Sequence, residues 1–314
     1  MNEARRQHDA NVKQAAQELI KLYTAVADDL EREARLMGDE TISKRWATDY
    51  AASLRKRVDE LGKGIYSTVI NGAKRSSRLP TAADMKFFTA ASGMSFSDVF
   101  SRTPDDALAR VLNGGIYRDK AGLSRRIWGI TRGLERDIDY IVNRGIAEKK
   151  SAYQIAQDLR DYVDPKAKRG FNWGKVYPNL TGKRVDFNAQ RLSRTAINHT
   201  YWLDNVKTCE ANPFVEAMHW ELSSEHFVRQ VLPFGEDECD EYAEHDEGLG
   251  IGNFYPENLP LPHPQCLCVQ WGVVPYSMTE VGDEIGRWLA GGANAKLDHW
   301  YGVNFLGWRG LVPA

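Results

Sequence analysis

Apolar residues recur every three or four positions through most of residues 1–165, which is the spacing of amphipathic helices. Two early stretches, residues 11–36 and 42–69, show this pattern. The clearest example lies in residues 122–147. Its apolar positions step by four and three: Leu123, Ile127, Ile130, Leu134, Ile138, Ile141 and Gly145. The spacing predicts a mainly helical region in which the isoleucines and Leu134 of this stripe form core.

Local signals predict where these helices start and stop. Asn71 and Gly72 predict the end of the second helix, because both residue types tolerate the left-handed conformation of a helix stop. Thr81, just after a Leu-Pro break, predicts the start of the next helix. Ser151 is followed three residues later by Gln154, a capping-box pattern that predicts another helix start.

The pattern changes in the second half of the chain. A long amphipathic helix is predicted for residues 184–209, and His199 on its apolar face is expected to be a buried, hydrogen-bonded histidine. Residues 214–222 then alternate between apolar and polar positions, which predicts a strand. A long acidic loop follows, and a second strand is expected after Cys268. This order of helix, strand, loop and strand is typical of a small α+β module.

The sequence therefore predicts an α+β protein with a helical N-terminal scaffold over residues 1–165 and an α+β module over residues 183–275. Residues 166–182 contain glycine and proline without periodicity and are predicted to be a linker. Residues 276–314 form a C-terminal tail. We expect the helical scaffold to mediate docking, and the rest of the chain to fold without residues 1–119.

Composition narrows the class of protein. The 314 residues are 42% hydrophobic and 27% charged, which is typical of a globular chain. No apolar run is long enough to cross a membrane, so a membrane protein is not expected. Four cysteines in so long a chain are too few for a disulfide scaffold, which favours a reducing compartment.

Charge is distributed unevenly along the chain. Residues 121–200 hold 16 basic and 8 acidic side chains, whereas residues 201–280 hold 2 basic and 15 acidic ones. This asymmetry indicates either a surface for a charged partner or two segments that pack against each other. The linker, residues 166–182, combines lysines and arginine with aromatic residues. It is expected either to bind nucleic acid or to be a loop held to its own protein by its aromatic residues.

The candidate chemistry lies in the second half of the chain. The chain lacks a phosphate-binding glycine loop and a metalloprotease helix motif. Cys239, His263, Cys266 and Cys268 offer thiolates and an imidazole, the ligands that tetrahedral zinc prefers. Their spacing, C-x23-H-x2-C-x-C, leaves three alternatives open: a structural zinc site, free buried thiols, or a disulfide.

Several motifs resemble the phage Mu F-like minor head proteins, also called the phage head morphogenesis family. The matching features are Arg191–Thr195 on the long helix, Trp220 on the strand, residues 237–243, and the Pro-His-Pro-x-Cys-x-Cys segment of residues 262–268. Helical segments preceding them also resemble the family, so that the resemblance covers about residues 120–275.

Three positions depart from the pattern of this family. Tyr242 stands where the family often has the second cysteine of a C-x-x-C pair, which weakens a four-ligand metal site. Leu267 replaces an arginine between the last two cysteines. Ala196 replaces a glutamate, which removes a candidate acidic residue from any enzymatic role.

The resemblance implies a structural role without catalysis. Such proteins are minor, portal-associated components of tailed-phage heads that act in head morphogenesis and DNA packaging or delivery, and they assemble in the host cytoplasm. The implied partners are the portal protein, capsid or scaffold proteins, and packaged DNA, and the implied location is the virion. Some relatives carry fused toxin domains, so an enzyme of the ADP-ribosyltransferase type is the alternative.

Overall fold

The computed structural model describes residues 2–37, 44–93, 103–167 and 184–302. The helices before the sheet are α1 Asn2–Met37, α2 Lys44–Ser76, α3 Leu79–Ser92, α4 Thr103–Leu112, α5 Leu123–Ala147, α6 Ala152–Val163 and α7 Phe187–Ala211. The later elements are β1 Ala217–Glu221, α8 Glu238–Glu244, β2 Asn253–Phe254, β3 Val269–Val273, α9 Met278–Leu289 and α10 Ala295–Tyr301. Every helix in these ranges is too short or too polar to cross a membrane.

A small antiparallel sheet of three strands follows the long helix α7, and the sequence predicts two of these strands, β1 and β3. Its strand order is β2-β1-β3, with β1 in the centre. Met218 of β1 lies opposite both Phe254 of β2 and Gly272 of β3. Met218 and Trp220 are buried and Glu221 is exposed, which follows the alternation of side chains along a strand. The mainly helical chain with this sheet confirms the predicted α+β fold class.

The chain forms two compact units, each with its own core. The first comprises the described residues of Met1–Asn11, Ala73–Val111 and Thr195–Ala314. The second comprises the described residues of Val12–Gly72 and Leu112–Arg194. The sheet and all four predicted site residues belong to the first unit.

The predicted apolar stripe of α5 lies in the core of the second unit. Its buried members are Leu123, Ile127, Leu134, Ile138, Ile141 and Gly145. Ile130 is only partly buried, so its place in the predicted core is wrong. A Cβ atom on Gly145 would lie 2.5 Å from Cγ1 of Ile155, and the glycine therefore allows α5 and α6 to approach closely. The capping box of Ser151 and Gln154 is confirmed at the start of α6.

Two helix boundaries differ from the prediction. Helix α2 continues past Asn71 and Gly72 to Ser76. Gly72 is buried, so packing against the protein favours a helical conformation there over the left-handed stop that its residue type permits. Helix α3 begins at Leu79 rather than Thr81, with Pro80 in its first turn, where the missing N–H costs no hydrogen bond.

Residues after 275 contain two helices of the first unit. Phe88 of α3, Phe214 and Trp300 of α10 lie in one buried aromatic cluster. The Phe88 and Trp300 rings are stacked with their centroids 5.4 Å apart. Part of the predicted tail, residues 276–314, therefore contributes core to this unit. Most of the predicted linker, from residue 168 onward, lies outside the described residues.

Candidate metal centre

Helix α8 positions the first thiol of the site. The sequence pattern predicts a loop here, but Asp237 caps a short helix by accepting a hydrogen bond from the Cys239 N–H at 2.9 Å. Asp240 completes the capping box by accepting from the Asp237 N–H at 2.8 Å. The Cys239 side chain is fully buried. The cap therefore fixes the backbone from which this thiol enters the core.

A tight turn positions the other two thiols. The Cys266 N–H donates to the His263 carbonyl at 3.1 Å. Between them Gln265 has φ +69°, a left-handed conformation that a non-glycine residue rarely adopts. The Cys268 N–H then donates to the Cys266 Sγ at 3.3 Å, and both thiols are buried.

Helix α7 holds this turn in place from the other side. The Asn198 side chain donates to the Cys266 carbonyl at 2.8 Å. His199 is buried, and its Nε2 lies 2.8 Å from the Pro262 carbonyl, to which it donates. The predicted role of His199 as a buried, hydrogen-bonded residue is confirmed.

Three thiols meet in one group. The Cys239 and Cys266 sulfurs are 3.6 Å apart, and the ligand atoms of Cys239, Cys266 and Cys268 all lie within 4.8 Å of one another. Zinc–sulfur bonds of about 2.3 Å at tetrahedral angles place two sulfurs roughly 3.8 Å apart. The separation of the Cys239 and Cys266 sulfurs matches this spacing, and the Cys268 sulfur lies near enough to be a third ligand. All three cysteines are free in this structure, as is Cys209.

Hydrogen bonds determine which sulfur holds negative charge most readily. The pKa of Cys268 lies well below its usual range because the thiols of Cys239 and Cys266 donate to it, assisted by the Ser223 N–H and the charge of His226. The pKa of Cys239 is raised, first by its hydrogen bond with Cys266. One thiolate is therefore stabilised within the group, and a metal ion would displace the remaining thiol protons.

His263, the fourth residue that the sequence predicts, lies in a neighbouring group. Its Nε2 is 3.4 Å from Oδ2 of Asp237. The ligand atoms of Asp237, Cys239 and His263 lie within 4.8 Å of one another. The structure thus brings the three thiols together and places the imidazole beside Cys239 and a carboxylate.

Three residues that the sequence analysis did not name as ligands, His226, Asp237 and Asp240, also belong to this region. His226 is buried, and its Nε2 lies 2.9 Å from Oδ2 of Asp240. Burial acts to lower the pKa of His226, but the hydrogen bond and charge of Asp240 outweigh it and raise the pKa. The spacing of Asp237 and Asp240 fits a capping box and could have indicated α8. No local pattern indicates His226, because its partner is 14 positions away.

A cavity of about 310 Å³ opens beside these groups. Its lining includes Ser223, His226, Asp237, His263, Cys266 and Cys268. Thiolate, imidazole and carboxylate groups together are a donor set that suits zinc, and a cavity gives an ion a path to them.

No protein-family model, curated protein or solved structure matches this chain. The converging thiols, the neighbouring histidines and the two aspartates at the start of α8 are therefore the features of this chain that bear on its function.

Proposed function

We propose that this protein is a structural minor head protein of a tailed phage or prophage, associated with the portal and acting in head morphogenesis. The observation that supports this role most is the place of the motif residues in the fold. Trp220, Cys239, Cys266 and Cys268, which carry the resemblance to the Mu F-like proteins, belong to one buried cluster. The motif therefore builds the core of the α+β module, as expected of a structural element.

A zinc ion bound by the three thiols is the proposed structural cofactor. Residues 222–268 connect β1 to β3 and contain only short elements of regular structure. A segment of this kind has little core of its own, so a metal bound at Cys239, Cys266 and Cys268 would join its two ends. In this proposal the ion stabilises the module and catalyses no reaction.

An exposed apolar strip supports binding to other proteins. Phe227, Val228, Leu232 and Phe234 are between 62% and 79% exposed, and they follow one another on a short helical segment after β1. Exposed apolar side chains in a row are typical of interaction surfaces. We propose the portal protein and capsid or scaffold proteins as partners, with the virion as location. Contact with packaged DNA through the predicted linker concerns residues that are mostly outside the described ranges.

Co-sedimentation tests this role. The protein is mixed with shells assembled from capsid and portal proteins of the same genome, and with matched shells that lack the portal. We expect the protein to sediment only with the portal-containing shells. Equal recovery with both shells, or with neither, would contradict a portal-associated role.

A parallel assay tests the alternative enzymatic class. The protein is incubated with a nicotinamide dinucleotide that is labelled on its ADP-ribose part, together with a lysate as acceptor. We expect no transfer of the label to protein. Transfer that exceeds a boiled control would favour the ADP-ribosyltransferase alternative.

A further inference from the structure

The ring nitrogen of His263 that faces the carboxylate of Asp237 is Nε2, which carries no proton in the neutral ring. Its Nδ1 lies 3.0 Å from the Pro264 carbonyl oxygen, which can only accept a hydrogen bond. Nδ1 therefore carries the proton of the neutral ring, and Nε2 presents a lone pair. That lone pair points to Oδ2 of Asp237 at 3.4 Å. Two acceptors at this distance repel each other unless a cation or a second proton lies between them.

Asp237 has one oxygen available for such a cation. Its Oδ1 already accepts the Cys239 N–H at 2.9 Å, whereas its Oδ2 is the atom that faces His263. The Cys239 sulfur lies within 4.8 Å of the ligand atoms of both residues. An oxygen, a nitrogen and a sulfur thus lie close enough together to bind one ion.

We propose that these three atoms form a second divalent metal position, with Asp237, Cys239 and His263 as ligands and Cys239 shared with the neighbouring thiol position. Mixed sulfur, nitrogen and oxygen donors favour zinc, with bond lengths of about 2.0–2.3 Å. Cys239 would bind as a thiolate, its one proton being released to solvent when the first of the two ions binds, and this thiolate would be shared by both ions. The proposal rests on the zinc site of the proposed function only through this shared sulfur.

The second position differs from the thiol position in the exposure of its ligands. Asp237 and His263 are only partly buried and line the cavity of about 310 Å³, whereas all three thiols are buried, although Cys266 and Cys268 also border that cavity. Three protein ligands leave a fourth coordination position, and here that position faces the cavity. Such an open position takes water or an anionic oxygen donor, whereas a closed structural site does not.

Metal stoichiometry tests the proposal. The full chain is stripped of metal under reducing conditions, saturated with zinc, freed of unbound ion and measured by elemental analysis. We expect two zinc ions per chain for the wild type and one for Asp237→Asn and for His263→Ala. Asparagine retains an oxygen that caps α8, so this variant removes the ligand charge and keeps the helix start. The Cys209→Ser variant should still bind two zinc ions, because Cys209 is buried but belongs to neither group of metal ligands.

Cobalt separates the two positions by spectroscopy. The near-ultraviolet charge-transfer band of cobalt–thiolate bonds should persist in Asp237→Asn and decrease strongly in Cys266→Ser. One zinc per wild-type chain, lost in Cys266→Ser, would overturn the second position and leave the thiol site intact. Two ions retained in both Asp237→Asn and His263→Ala would also overturn it. A wild-type chain that binds no zinc would contradict both positions.

Discussion

The backbone N–H and the hydroxyl of Thr81 both contact the buried carboxyl group of Asp204, across 123 positions of the chain. The Thr81 N–H donates to Oδ2 of Asp204 at 3.1 Å, and the Thr81 hydroxyl lies 3.0 Å and 3.1 Å from Oδ1 and Oδ2. Burial raises the pKa of Asp204 to about 7, although the hydrogen bonds from Thr81 act to lower it. The carboxyl group of Asp204 therefore loses its proton near neutral pH.

The raised pKa of Asp204 predicts that stability falls as the pH rises. Between about pH 4 and 7 the folded state holds a proton that the unfolded chain, with an ordinary pKa of 3.8, has already released. The stabilisation is thus complete below about pH 4 and is lost as the pH rises through about 7. The contribution is at most about 4 kcal/mol, from 1.36 kcal/mol for each pKa unit. Urea unfolding across this range measures it.

Asp204→Asn is the matched variant for this pH dependence. Asparagine has nearly the same shape and no proton to lose, so the decline in the free energy of unfolding should be smaller. Asp84, whose pKa burial also raises to about 7, should preserve part of the decline. An equal decline in the wild type and the variant would contradict the assignment to Asp204.

Leu134→Ala should lower the free energy of unfolding by about 2–5 kcal/mol, because it leaves a cavity in a packed core. Leu134 is buried on α5, one helical turn after the partly buried Ile130. Ile130→Ala is the matched control and should cost clearly less. Thermal and urea unfolding of both variants measure the difference, and equal losses would show that burial does not distinguish the two positions.

Cys266→Ser should abolish binding of zinc at the thiol position, because serine does not supply the thiolate that zinc prefers. The variant should also unfold at a lower denaturant concentration than the wild type. Cys209→Ser provides the control, since Cys209 is buried in the same hydrophobic cluster but is not a member of the thiol group. If Cys266→Ser and Cys209→Ser have the same zinc content and stability, the thiol group has no role in binding metal.

A chain that lacks residues 1–119 should not fold, contrary to the expectation from sequence. The deletion removes Thr81, which donates to Asp204 of α7. It also removes Asp84, which accepts hydrogen bonds from Asn212 in the turn after α7. A buried carboxylate without its donors destabilises a protein by several kcal/mol. Circular dichroism and limited proteolysis measure the outcome. A cooperative thermal transition in the truncated chain would contradict it.

Thr81→Val tests the same contact with a smaller perturbation than the deletion of residues 1–119. The substitution removes the hydroxyl and keeps the backbone N–H, so Asp204 retains one of its donors. The expected loss is about 1–3 kcal/mol, with the fold preserved. Complete unfolding of Thr81→Val would show that the hydroxyl alone determines whether the unit folds.

Regular periodicity makes the long helices and the strand β1 predictable. The stripe of α5 and the capping box at Ser151 depend on residues within a few positions of one another, so a local pattern contains the necessary information. Helix α8 is not predictable from periodicity, because it has only seven residues and a mostly acidic composition. Helix α2 ends later than its sequence predicts because tertiary burial of Gly72 outweighs the local preference of glycine for a helix stop.

The candidate site was only partly predictable for a related reason. Cysteines are rare in this chain, so Cys239, Cys266 and Cys268 stand out by composition. Histidine and aspartate are common polar residues, and the pairing of His226 with Asp240 becomes visible only when two separate segments meet. Likewise, no pattern in residues 2–11 indicates that His8 lies 3.0 Å from Asn198.

The assembly of the first unit from three separate chain segments constrains how the protein folds during synthesis. His8 and Asn198 are 190 positions apart, and a ribosome that adds about 5–20 residues per second needs roughly 10–40 s to cover that distance. The first turns of α1 leave the ribosome long before α7 exists to receive them. For that interval the faces of α1 that will be buried are open to water and to other nascent chains. The order of translation, and not the final stability, therefore determines how long this protein is exposed to aggregation.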